Sequence, residues 1–127
     1  MTDSADLSLR VTMMPRDTNV HGTIFGGIIL SYIDQAGAVH VRHHGCHDVV
    51  TVAMDKVVFH EPVYVGDVVS FRTRTLSTGR TSVRVRVTVE AARYSTNARI
   101  TVTEADVVYV NLGADRRPAP LPSGDRA

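Results

Sequence analysis

The clearest pattern in the chain is strict alternation over Thr81–Glu90, where Val83, Val85, Val87 and Val89 interleave with Arg84, Arg86, Thr88 and Glu90. A period of two sets the valines on one face and the polar side chains on the other, which predicts a half-buried antiparallel strand, and β-branched residues favour it. Asp67–Leu76 is also β-rich, and Ser77-Thr78-Gly79-Arg80 between the two runs is a short turn containing glycine, so together they predict a hairpin. Further β-rich runs cover Leu7–Met13, Val50–Phe59 and Ile100–Val110. Between the first two the period changes: apolar residues fall at Phe25, Ile28, Ile29, Tyr32, Ile33, Ala36 and Val39, the three-and-four spacing of a helix. Thr23 is placed to cap its start and Gly45 to end it, while Gly26 and Gly27 weaken the first turn by about 1 kcal/mol each.

The predicted order is one strand, one long helix, then four strands. That order indicates an α+β fold in which an antiparallel sheet wraps a single helix. From Gly113 onward the composition turns to Pro, Gly and Ala, which predicts a flexible C-terminal tail over 113–127 and leaves 1–112 as one domain. A length of 127 residues suits one domain, and 43% hydrophobic with 21% charged residues is an ordinary globular balance. A net charge of +1 gives no general attraction to nucleic acid or membrane, so an anionic partner has to be held by a local cluster. One cysteine, Cys46, permits no internal disulfide. MTDSADLSLR lacks the features of a signal peptide, and no apolar run approaches the roughly 20 residues of a membrane span. The expectation is a soluble, cytoplasmic protein.

Asp34 stands out as an acid in mid-helix. Between Phe25 and Val39 the other strongly polar side chains are Ser31 and Gln35. A carboxylate on a solvated helix stripe is the ordinary case, but an acid kept near apolar surface is a candidate general base or nucleophile. The loop entering the helix, Asp17–Gly27, carries glycines at 22, 26 and 27. Glycine lets another molecule approach the backbone, and free N–H groups at a helix N-terminus favour developing negative charge, the physics of an oxyanion hole. No GK[ST] ending follows, which speaks against a phosphate-binding loop.

The hairpin brings Arg72 and Arg74 near Arg84 and Arg86, either as a solvated outer face or as a site for an anionic ligand, with Arg80 in the turn able to add to it. His40, His43, His44 and His47 straddle the expected helix end, where no Cys pair or acidic cluster completes a ligand set, so no metal is expected there. His21, beside the glycines, and His60, before Glu61-Pro62, are better placed to touch a substrate.

The segments PRDTNVHGTIFGGIILSYIDQAGA (Pro15–Ala38), VVTVAMDKVVFHEPVYVGDVV (Val49–Val69) and GRTSV (Gly79–Val83) resemble, in order and spacing, the hotdog-fold acyl-CoA thioesterase family, in particular acyl-CoA hydrolases of the YciA type. The resemblance implies a hotdog fold, in which a curved antiparallel sheet of about five strands wraps one long helix. It implies hydrolysis of an acyl-CoA to free CoA and a carboxylic acid with no added cofactor, CoA being part of substrate and product. Asp34 matches the family's catalytic acid, which acts as general base or nucleophile. Asn19 matches the amide side chain that orients substrate or water, and Gly26 the glycine whose N–H polarises the thioester oxygen. Gly27, Thr51 and the turn Gly79, Arg80, Thr81 and Ser82 match segments that line the site and the pantetheine channel. The family pairs two units edge to edge and often assembles further, to tetramers or hexamers, with Asn19 and Asp34 expected from different subunits. The other reading kept open is a non-catalytic hotdog protein that binds acyl-CoA as sensor or carrier.

Overall fold

The computed structural model describes residues 5–122. Five strands, β1 (Asp6–Thr12), β2 (Val49–Phe59), β3 (Val68–Thr78), β4 (Ser82–Ala92) and β5 (Arg99–Asn111), and one long helix, α1 (Gly26–His43), follow the expected order, with a 3-10 turn at Pro15–Asp17. The strands form one antiparallel sheet in the order β1-β3-β4-β5-β2, so β1 and β2 are its edges. α1 packs across one face, against β1, β3, β4 and β5.

The alternation that predicted β4 is realised residue by residue. Val83, Val85, Val87, Val89 and Ala91 are buried under the helix, and the residues between them are half-buried on the other face. Each valine taken wholly out of water contributes on the order of 1.5 kcal/mol. Opposite them α1 buries Ile29, Ile33, Ala36, Gly37, His40 and Val41. Ile33 is fully buried in this core. The β3–β4 hairpin extends further than expected: β3 continues to Thr78, past a register shift between Thr75 and Ser77, and the turn is closed by Gly79 N–H donating to the Ser82 carbonyl at 2.8 Å.

Two expectations are corrected and one open alternative is narrowed. Thr23 does not cap the helix, because α1 begins at Gly26 with Phe25 in the cap position and no side-chain cap hydrogen bond. Of the hairpin arginines, read as a solvated face or an anion site, Arg72, Arg84 and Arg86 are ion-paired. Arg72 lies 3.2 Å from Glu90, Arg84 2.9 Å from Asp55 and 3.3 Å from Asp106, and Arg86 3.6 Å from Glu104 and in close contact with Asp106. Asp106 is buried between two guanidiniums, which supply the partners a buried carboxylate requires. Third, 113–122 is fastened rather than loose: Ala119 N–H donates to the Asn111 carbonyl and Leu121 N–H to that of Arg80, both at 2.9 Å. The rest of the expected tail, 123–127, lies outside the described residues.

Candidate active site

Asp34 sits eight residues into α1, half-buried, between buried Ile33 and exposed Gln35. β2 and β5 bring it two partners, Thr51 and Tyr109, which face each other across the ladder. Thr51 Oγ1 donates to Asp34 Oδ1 at 2.6 Å. The Tyr109 hydroxyl donates to the Asp34 carbonyl at 2.7 Å and lies 3.3 Å from Oδ1. Burial, and then the negative charge of Asp34, push the Tyr109 phenol well above its usual pKa, so it stays a donor across the working pH range. The phenol reaches the helix backbone because residue 37 is glycine. A Cβ there would stand 2.1 Å from the Tyr109 hydroxyl oxygen. Neither Tyr109 nor Gly37 carried a signal in the sequence: 75 residues separate Tyr109 from Asp34, and a small residue in a helix is ordinary.

The start of the same helix presents bare amides. The first N–H groups of a helix have no intrahelical acceptor, and Phe25 has no side-chain oxygen to cap them, although its carbonyl accepts from Ile28 N–H at 2.9 Å. The chain is aimed into this position by Phe25 N–H donating to the Asp17 carbonyl and Ile24 N–H to that of Val63, both at 2.8 Å. Asn19 holds the preceding loop: its Oδ1 accepts from the N–H groups of His21 (2.8 Å) and Thr23 (3.2 Å), and its Nδ2 donates to Thr23 Oγ1 at 2.9 Å. One Nδ2 hydrogen remains for another partner. Beside Gly26 opens a cavity of about 300 Å³ lined by Ile24, Ile29, Phe59, His60, Val63 and Thr103, among others. His60 Nε2 lies 3.1 Å from Glu104 Oε2, a partner the sequence reading missed.

The site residues expected from the sequence therefore fall into two groups. Gly26, Gly27 and His60, with the loop of Asn19 and His21, lie at the helix start. Asp34 and Thr51 lie further along, and the turn Gly79–Ser82 joins them, because Val83, Tyr109 and Thr51 form one row across β4, β5 and β2. Eight residues of helix rise about 12 Å, so Gly26 and Asp34 of one chain stand about that far apart along the axis. β2, whose two ends carry the two groups, is an edge strand with Val50, Val52, Val58 and Phe59 exposed.

Comparison with known proteins places the chain in a family. A family model described as the thioesterase superfamily matches residues 21–94. The chain belongs to that superfamily. Among its relatives, the acyl-CoA thioester hydrolase YciA of Salmonella typhimurium is 38% identical over 124 residues, covering 95% of this chain and 93% of the relative. A hexameric hotdog fold thioesterase of Campylobacter jejuni superposes with a TM-score of 0.87 at 44% identity, over 91% of this chain and 90% of that one. An acyl-CoA hydrolase from Staphylococcus aureus, solved with butyryl coenzyme A and coenzyme A, superposes with a TM-score of 0.82 at 27% identity, over 90% of this chain and 70% of the other. The thioesterase fold of this chain is the hotdog fold, as the resemblance implied.

Proposed function

We propose that this chain hydrolyses the thioester of acyl-CoA, releasing free CoA and a carboxylic acid, with Asp34 as the acid that drives attack and the Gly26 N–H as the donor to the oxyanion. The observation that carries this is the Asp34 carboxylate held by Thr51 at 2.6 Å on a helix whose first amides are uncapped. Asp34 either takes a proton from the attacking water or attacks the carbonyl carbon itself, and in both cases the carbonyl oxygen gains charge that a helix N-terminus stabilises. The reaction needs no electron acceptor or group donor, so CoA appears only as part of substrate and product.

A thioester carbonyl cannot be touched at once by two groups about 12 Å apart. The working site is therefore composite: Asp34, Thr51 and the Gly79–Ser82 turn of one chain meet Gly26, Gly27, His60 and the Asn19–His21 loop of a second copy. Antiparallel pairing of two β2 edges sets the Thr51 end of one strand against the Phe59 end of the other and covers the exposed valines. Such dimers would assemble further into a larger oligomer; the relative of Campylobacter jejuni is hexameric. Arg80 is the arginine of the hairpin turn, and it receives the nucleotide phosphates of CoA. Residues 1–112, with 113–122 fastened against them, form the hydrolase domain. No helix among the described residues is long and apolar enough to cross a membrane.

The test is release of free thiol from acyl-CoAs graded from acetyl to palmitoyl, beside titration with a non-hydrolysable acyl-CoA. Wild type is expected to turn over, and Asp34→Asn to lose about 10²–10⁴ in rate while still binding the analogue. Binding without turnover in wild type would instead establish a sensor or carrier.

A further inference from the structure

The C-terminal turn of α1, at the far end from Gly26, carries a second set of convergent donors. His40 and His44 are four residues apart, so their side chains share a helix face, and their ring centroids are 4.5 Å apart. Asp6 of the edge strand β1 reaches the same point, its Oδ2 lying 3.3 Å from His40 Nδ1 and 2.9 Å from His44 Nε2. All three donor atoms lie within 4.8 Å of one another. Donors held about 2.0–2.1 Å from a tetrahedral ion stand about 3.3 Å apart, so small side-chain rotations close this set on one ion.

The surroundings are those a metal-binding histidine needs. His40 is buried, and its other ring nitrogen, Nε2, lies 2.8 Å from Thr75 Oγ1. With Nε2–H donating to that hydroxyl, the Nδ1 lone pair points at Asp6 and His44, the outer hydrogen bond that fixes a ligating imidazole. Thr73 Oγ1 also lies 2.9 Å from Nδ1, and Ser8 Oγ, 2.6 Å from Thr73 Oγ1, gives that hydroxyl another partner once Nδ1 is engaged. No buried polar group is stranded by the exchange. Access is open, because the side chains of His44 and Asp6 are 32% and 43% exposed, and a cavity of about 260 Å³ lined by Asp6, Leu7, Ser8, Val39 and His43 adjoins them.

We propose that Asp6, His40 and His44 form a site for a divalent transition ion of the Zn²⁺ or Co²⁺ class. Two imidazoles and one carboxylate favour these ions over Mg²⁺ or Ca²⁺, which take oxygen ligands. The ion ties edge strand β1 to the last turn of the helix. Its histidines lie six and ten residues beyond Asp34, about 9 and 15 Å along the axis, so it serves the fold rather than the thioester. The sequence did not reveal it, because the carboxylate that completes the histidine pair stands 34 residues before His40.

The test uses the full-length protein, stripped with a chelator and dialysed. Titration with Co²⁺ is expected to raise visible d–d absorption that saturates at one ion per chain, and Zn²⁺ to raise Tm by about 3–8 °C when present well above its Kd. The exposed ligands are the ones to remove, since His40 variants risk the core. His44→Ala with Asp6→Asn is expected to abolish both signals, Thr75→Val to weaken binding about 10-fold, and His47→Ala to change nothing. Absence of a saturable Co²⁺ signal in wild type would overturn the proposal. So would a signal that survives His44→Ala with Asp6→Asn, or one lost in His47→Ala.

Discussion

Asp34 takes its character from side chains of two strands that reach the middle of the helix. Thr51 holds Oδ1, and Tyr109 holds the residue's carbonyl while standing close to the same carboxylate oxygen. Thr51→Val keeps the shape and removes the donor, so it is expected to lower kcat about 10-fold and leave thermal stability within about 1 kcal/mol, since a single hydrogen bond is worth about that much. Gly37→Ala acts through space. Its Cβ meets the phenol, and the overpacking is expected to cost about 1–3 kcal/mol in urea unfolding. Tyr109→Phe removes the atom that clashes first, so the double variant is expected to cost less than the sum of the singles. Strict additivity would place the clash elsewhere. Asp34 itself was legible as a lone acid on an apolar helix, whereas its partners are non-local and became visible only when the sheet was formed.

At the level of elements, β4 and α1 were legible because their periodicities are nearly unbroken. What periodicity does not carry is which charge faces which. Arg84 and Arg86 read equally as a solvated face or an anion site because Asp55, Glu104 and Asp106 lie on other strands, far along the chain. Arg84→Ala is accordingly expected to leave KM for acyl-CoA within about 2-fold and to cost stability instead, because it takes one of two guanidiniums from the buried Asp106 carboxylate. A KM that rises as far as it does in Arg80→Ala would return Arg84 to the ligand. The helix start offers a cleaner substitution. Proline is favoured at the first helical position and removes only an N–H that lacks an intrahelical partner. Phe25, with φ −61° and ψ 131°, already has the extended conformation a residue before proline adopts. Gly26→Pro is therefore expected to keep the fold and lose about 10²–10³ in kcat, the loss found on removing one oxyanion donor.

At the scale of the whole molecule, the proposed composite site follows from where the helix and the edge strand put their groups. α1 holds an acid at its middle and uncapped amides at its start, and β2 carries the matching groups to its two ends on an exposed edge. A single sequence shows both sets of residues but not the distance between them, since that distance follows from the rise of the helix and from which strand is left at the edge. A charged residue at the centre of that edge, such as Val52→Asp, is expected to give a monomer by sedimentation and to abolish turnover with every proposed site residue intact. The composite site itself is tested most directly by mixing. Asp34→Ala and Gly26→Pro chains, each nearly inactive alone, are unfolded together, refolded and assayed for thiol release from acyl-CoA. If the acid of one chain works with the amide of another, mixed dimers form one intact site in two, and about a quarter of wild-type activity returns. Activity no higher than that of the separate variants would contradict the account.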